Sequence, residues 1–403
     1  MPLRPDRTIV AIAEARSILA ASSRPIARTE RIPLRDLAGR VLADHIDASI
    51  DVPSFARAAM DGYAVVAADT SGARGDAPVT LTLADSVYTG DAPGHHLTNG
   101  HCIGIATGAP VPSGADSVVM IEQTERGGVT VCFRAPAHAG QIIGPRGSDV
   151  RAGQRVLDEG TFLTPARLGV VAALGLTDAT VYARPRVAIL CTGNEVVEPG
   201  RPLGRGQIFD VNTETLAAVM REHGGDPVTY SPVADDRAAI AEALDAALGA
   251  DVVLIAGGSS VGERDYILEV ISARGDVRFK GIAIKPGKPT IFGLADGRPV
   301  FGMPGNPTSC LSNAYLLVVP LLRALARLPP RADPAVTARL ARAVTSPPGR
   351  HQFYPVRLEG GEAVPAFKGS GDITSLANAD GYFEIPEDVE RVPEGEVVKV
   401  RRF

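Results

Sequence analysis

A chain of 403 residues is longer than one hydrophobic core usually organises, so about two to four domains are expected. Hydrophobic residues make up 45% and charged residues 22%, which is ordinary globular usage and excludes a disordered or fibrous protein. With 41 basic against 46 acidic side chains the net charge is -5, leaving no cationic surplus to grip a nucleic acid.

The N-terminal segment carries Asp6, Arg7, Glu14 and Arg16 within its apolar spacing, so it does not read as a signal peptide. Residues 6–50 show helical periodicity twice, through Ile12, Ala15, Ile18 and Leu19 and through Leu34, Leu37, Val41 and Leu42, which predicts two short helices. From Val52 to about Gly140 short alternating runs are separated by Gly, Pro and Asp turns, predicting a β-rich lobe over 51–140. Residues 141–182 return to loop and helix, with Pro165 opening a helical segment, and are expected to join residues 1–50 in an elongated mixed domain. Between 183 and 328 apolar strands alternate with helices. That pattern predicts a doubly wound parallel sheet covered on both faces, with Asn212 capping one helix and Gly224 and Gly225 ending it. PPRADP reads as a linker, and the short strands of 329–403 predict a small C-terminal β-barrel.

Four widely spaced cysteines, Cys102, Cys132, Cys191 and Cys310, form no CxxC pair and fit neither a zinc site nor a disulfide framework. With no uncharged apolar run of ~18 residues to cross a bilayer, the expected location is the cytoplasm and no membrane partner is expected.

Ligands of doubly wound sheets bind at the carboxyl ends of the strands, and the unusual residues collect at those turns. After the strand DVVLIA come Gly257, Gly258, Ser259, Ser260, Val261 and Gly262, a loop whose amides and hydroxyls suit an anion, although a tight turn is the plain alternative. IKPGKP places Lys285 and Lys288 on a chain stiffened by Pro286 and Pro289, a clamp for phosphate or another oxyanion. It is not a Walker A loop, because Pro289 stands where Ser or Thr would hold magnesium. MPGNP sets Pro304, Gly305, Asn306 and Pro307 directly before Thr308, Ser309 and the closing helix. Glu195, Asp235, Asp236 and Asp265 gather at the same edge. Carboxylates with substrate phosphates suit Mg2+, whereas Asp236 and Asp265 also fit simple helix caps. Outside this domain, Asp61 in MDGYAV and Thr107 in IATGAP lie in loops, and His95 and His96 read as surface residues at a turn rather than metal ligands. No Ser, His and Asp set stands at a nucleophile elbow.

Taken in order, MDGYAV, TGAPVP.GAD.VVM.E, TGNE, GG.SVGE.DY, IKPGKP and MPGNP resemble the molybdopterin molybdenumtransferases over nearly the whole chain. The resemblance implies a four-domain, homodimeric enzyme that takes adenylylated molybdopterin and molybdate, releases AMP in a Mg2+-dependent step, and leaves molybdenum on the dithiolene. A molybdopterin adenylyltransferase would act upstream of it. Asp61, Thr107, Glu195, Asp235, Asp265, Lys285, Lys288, Pro304, Pro307 and Ser375 stand where that family has functional positions. By the same likeness the cleft lies between subunits, so that Asp61 serves the partner's site. The chain departs from the family at Gly144, Ser148 and Pro355, where relatives commonly carry Arg, Glu and Arg. Arg350 or Arg357 is the cation expected to compensate for charge lost there. The alternative readings are a related adenylyltransferase, disfavoured by the extra lobe and barrel, and a non-catalytic oligomeric scaffold of the same fold. Molybdate and tungstate are not separable from sequence.

Overall fold

Every residue of the Val252–Ala256 strand is buried, the mark of a strand covered on both faces. Its alternate side chains part company. Val252, Leu254 and Ala256 enter one core, whereas Val253 and Ile255 enter the other. This strand lies third in a six-stranded sheet with the order Asp226–Thr229, Arg186–Cys191, Val252–Ala256, Arg298–Met303, Ile291–Ala295 and Gly275–Lys280. The first four strands run parallel and the last two are antiparallel additions. The first core takes Leu216 and Met220 of the helix Asn212–Glu222, and the second takes Ile240 and Leu244 of Arg237–Ala247 with Ile267 and Ile271 of Tyr266–Arg274. Cutting Leu254, fully buried in this core, to Ala would cost about 2–5 kcal/mol through lost burial and the cavity left behind.

The computed structural model describes residues 9–92, 94–257, 265–331 and 335–403. Two units emerge, one of Met1–Arg31, Gly39–Val41 and Thr180–Phe403, the other of Ile32–Ala38 and Leu42–Ala179. The helix Ile12–Ser22 forms as its spacing predicts, but Ile12, Ala15 and Leu19 pack into the α/β core, so it goes with that unit rather than with residues 141–179. The second predicted helix does not form. Only a 3₁₀ turn, Leu34–Asp36, appears, and Gly39 at φ +76° ends any helical path, although Leu37, Val41 and Leu42 are buried.

The closing helix runs Pro307–Leu325, interrupted by a π-helical stretch at Ala314–Val318. Pro320 has no N–H to give the Leu316 carbonyl, and the Arg16 Nε–H donates to that carbonyl instead at 3.4 Å. By length and composition this helix could span a membrane, yet 72% of its apolar window is buried, with Cys310, Leu317 and Leu322 in the core. It is a core helix.

Beyond it, the strands His351–Glu359, Glu362–Pro365, Ala335–Leu340, Val397–Arg402 and Gly381–Ile385 close on one another as the expected barrel. Phe353 and Tyr382 stack at 4.0 Å and belong to the α/β core, fastening the barrel to that domain. The other unit carries its own six-stranded sheet, ordered Ser117–Met120, Gly62–Val65, His101–Ile105, Val79–Val87, Thr130–Phe133 and Thr124–Gly127.

Candidate functional site

Three loops meet at the carboxyl edge of the parallel strands. Thr192 follows the Arg186–Cys191 strand and its N–H donates to the Ala256 carbonyl at 2.8 Å, while the Gly257 N–H donates to the Met303 carbonyl at 3.2 Å. Gly257 sits at φ +112°, and a Cβ there would stand 2.2 Å from the Thr192 carbonyl oxygen, so glycine is required. A Cβ on Gly305 would lie 3.4 Å from the Gly257 Cα, which shows how closely the MPGN loop approaches. The predicted Gly258, Ser259, Ser260 and Gly262 lie outside the described residues.

Pro304 and Ser309 are buried, so neither side chain faces solvent, whereas Gly305 and Asn306 are exposed ahead of the helix that begins at Pro307. Asn306 Nδ2 donates to Ser370 Oγ at 3.2 Å, and Thr308 Oγ1 donates to the Asp372 carbonyl at 2.8 Å. A barrel loop, Lys368–Asp372, therefore lies over the start of this helix. Ser375 is fully buried and its hydroxyl accepts from the Lys368 N–H at 3.0 Å, which makes it the anchor of that loop. Sequence reading singled out Ser375 and missed the loop it holds. The Lys-Gly-Ser-Gly-Asp run was the available signal.

The lysine clamp is built with equal care. Lys285 belongs to a two-residue strand, Ile284–Lys285, paired in parallel with His351 and Gln352 of the barrel. Asn313, fully buried, donates to the Gly287 carbonyl at 2.9 Å and to Thr290 Oγ1, and Thr290 Oγ1 donates to the same carbonyl at 2.9 Å. Gly287 at φ +104° leaves no room for a Cβ, which would sit 2.4 Å from the Asn313 amide. Lys285 and Lys288 are half-buried with their turn thus fixed, and neither carries an ion pair among the described residues.

The carboxylates divide. Glu195 and Asp235 are exposed, and the Asp235 N–H donates to Asn194 Oδ1 at 3.1 Å, bringing the two loops together. Asp236 caps its helix by accepting from the Ala238 and Ala239 N–H groups at 2.9 and 3.0 Å. Asp265 likewise caps, accepting from Leu268 N–H at 3.2 Å, and pairs with Lys280 at 3.5 Å. No group of three His, Cys, Asp or Glu residues is poised for a metal among the described residues, so Glu195, Asp235 and Asp265 make no ready-made cage. Asn212 is not the cap predicted for its helix. It is the first helical residue, and the buried Asp210 takes the capping role by accepting from the Thr213 N–H at 3.0 Å and hydroxyl at 2.5 Å. Burial, reinforced by the Asp210 charge, pushes the Cys191 and Cys310 thiols up, so neither is a nucleophile.

In the other unit Asp61 accepts from the Thr107 N–H at 2.6 Å and from its hydroxyl at 2.9 Å. These bonds hold the Asp61 carboxyl below the usual range, so it is an anion at neutral pH. Gly62 beside it is obligatory, since a Cβ would stand 2.0 Å from the Val119 carbonyl oxygen. His95 pairs with Asp85 at 2.8 Å and His96 lies 3.0 Å from Ser113, in line with surface roles. Of the departures, Gly144 lies opposite Arg57 in an antiparallel strand pair, and the nearby cation Arg357 is already paired with Glu359 at 2.5 Å.

A doubly wound domain with the Thr192, Gly257 and Gly305 loops and a lysine turn at its carboxyl edge, joined to a barrel that lends a further loop, has the architecture of the molybdopterin-binding class. Residues 188–324 match the family model described as a probable molybdopterin binding domain, residues 10–175 the MoeA N-terminal region (domains I and II), and residues 337–403 the MoeA C-terminal region (domain IV). The chain is 38% identical over 92% of its length, and 94% of the relative's, to molybdopterin molybdenumtransferase 2 of Mycobacterium tuberculosis. It is 34% identical to the molybdopterin molybdenumtransferase of Haemophilus influenzae, with 93% and 94% covered. The crystal structure of the molybdopterin biosynthesis MoeA protein from Pyrococcus horikoshii superposes with a TM-score of 0.84 at 40% identity, covering 98% of this chain and 99% of that one. The chain belongs to the molybdopterin molybdenumtransferase (MoeA) family, transferases of molybdenum cofactor biosynthesis.

Proposed function

We propose that this chain inserts molybdate into adenylylated molybdopterin and releases AMP in a Mg2+-dependent step. The observation that carries the reading is the meeting of the Thr192, Gly257 and Gly305 loops at one sheet edge. The Lys285–Lys288 turn, with both ammonium groups free of ion pairs among the described residues, adds the cationic clamp. Backbone amides and helix termini bind phosphate, and ammonium groups take the remaining oxyanion charge without needing a fixed fork geometry. Glu195 and Asp235, exposed and without an ion pair among the described residues, suit Mg2+ together with substrate oxygens. There the ion would neutralise phosphate charge. Asp265, which also caps its helix and pairs with Lys280, is the third carboxylate of this proposed set.

The active site is assigned to a homodimer in which the partner subunit's Asp61 completes it. Exposed Met60 and Ile121 flank Asp61, and the Ile121 N–H donates to the Asp61 carbonyl at 3.1 Å, an ordered apolar rim suited to a covered face. A molybdopterin adenylyltransferase would supply the substrate. Four free thiols, three of them buried, agree with a cytoplasmic location.

Protein incubated with adenylylated molybdopterin, Mg2+ and molybdate should release AMP. No AMP above a no-enzyme control would reject the reaction. Mixed Asp61→Ala and Glu195→Ala heterodimers should regain part of the activity that each homodimer lacks. None regained in verified heterodimers would reject the shared site.

A further inference from the structure

Between the Glu195 loop and the MPGN loop runs one short segment, Ile208–Asn212. Ile208 and Phe209 pair in parallel with Val196 and Val197; the Ile208 N–H donates to the Glu195 carbonyl and the Asp210 N–H to the Val197 carbonyl, both at 2.8 Å. Asp210 then locks the start of the helix through Thr213. Asn212, one residue into that helix, sends its amide Nδ2–H to the Gly305 carbonyl at 2.8 Å. This bond ties the loop carrying Glu195 to the loop that opens the Pro307 helix.

The amide itself is costly to keep. Asn212 is 6% exposed, and its Oδ1 has no hydrogen-bond partner among the described residues. A buried acceptor without a partner destabilises a fold, and at the first position of a helix Asn has no propensity advantage. The bond to Gly305 and the unpartnered acceptor offset each other at about 1 kcal/mol each, so this side chain brings no clear gain in stability. Thr192 Oγ1, 3.0 Å from where a Gly257 Cβ would stand, is likewise buried and unpartnered among the described residues, on the same floor of the loop junction.

We propose that Asn212 is a positioning residue. It fixes the Gly305–Asn306 turn against the Glu195 loop, so that substrate bound by the remaining loops and lysines lies in reacting geometry. The inference rests on the molybdenumtransferase reading for its activity assay. Misplacing a reacting group by about 1 Å costs about 100-fold in rate, whereas binding distributed over other contacts changes little.

Asn212→Ala and Asn212→Asp should each lower kcat for AMP release at least about tenfold. KM should stay within about threefold and the melting temperature within a few degrees. The aspartate keeps the size but faces the Gly305 carbonyl with a like charge, so it should not rescue. Hydrogen–deuterium exchange, which needs no turnover, should be faster in both variants over residues 303–309 and unchanged over 186–191. Retention of kcat within twofold, a loss carried by KM, or unaltered exchange over 303–309 would overturn the proposal. A parent protein that releases no AMP while the exchange result holds would reject the reaction and leave the positioning role standing.

Discussion

Replacing Gly287 by alanine tests how the lysine clamp is held. The new methyl would meet the Asn313 amide at 2.4 Å on a backbone at φ +104°. Forcing an L-residue into that conformation costs about 1–2 kcal/mol. Displacing Asn313 removes its bonds to Gly287 and Thr290, at about 1 kcal/mol each, and leaves buried polar atoms unsatisfied. Together the loss should be about 3–5 kcal/mol. Gly297→Ala is the matched control, with φ +76° and nothing within 4 Å of its Cβ, so it should cost about 1 kcal/mol from backbone strain alone. Urea unfolding followed by circular dichroism, beside an AMP-release assay, reads both effects. Gly287→Ala should lose about 100-fold in kcat/KM because Lys285 and Lys288 move with the turn, and Gly297→Ala should lose none. In the double variant Gly287→Ala with Asn313→Ala the clash is gone, so the stability losses should fall short of their sum by about 1 kcal/mol or more. If Gly287→Ala matches Gly297→Ala in both stability and activity, the argument that this packed turn aims the lysines is wrong.

Two pH effects follow from buried charge. Burial first, then the Arg331 and Arg323 charges, lowers the pKa of His223 from 6.5 to about 4. Since the folded value lies below the unfolded one, this stabilisation is complete above pH ~6.5 and is lost as pH falls toward 4, up to about 3 kcal/mol. His223→Phe should flatten that slope in urea titrations, and an unchanged slope would remove His223 as its source. Burial pushes the Glu384 carboxyl up, but the His351 hydrogen bond at 2.6 Å and the charges of Arg16 and Arg401 outweigh it and hold it at about 2. Its contribution is present above pH ~4.5 and lost as pH falls toward 2. Glu384→Gln should therefore weaken the fold by about 2–3 kcal/mol at neutral pH and little at pH 2, as measured by thermal unfolding across that range.

The α/β domain was legible because strands buried on both faces read as unbroken apolar runs, and the barrel because its strands alternate between Gly and Pro turns. Residues 34–42 misled because Leu34, Leu37, Val41 and Leu42 are spaced like a helix, whereas their burial is achieved by irregular chain around Gly39. Asn212 looked like a cap because of its residue type, but capping depends on where the backbone turns, and here the turn falls two residues earlier at Asp210. The clamp lysines and the MPGN loop could be read from proline and glycine spacing. Thr290 sits inside the turn itself, but what else fixes these loops, Asn313, Ser375 and the Lys368–Asp372 loop, is distant in sequence and speaks only through three-dimensional hydrogen bonds.

The two-residue strand that starts the clamp belongs by register to the barrel, since Lys285 pairs with Gln352. The boundary between the two modules therefore runs through the proposed lysine clamp rather than beside it. A shorter chain that ended after the closing helix would keep every loop motif of the α/β domain yet leave its first lysine without a neighbouring strand. If Lys285 binds substrate as proposed, the barrel shapes the site as well as adjoining it, because the strand that carries this lysine takes its partner from the barrel.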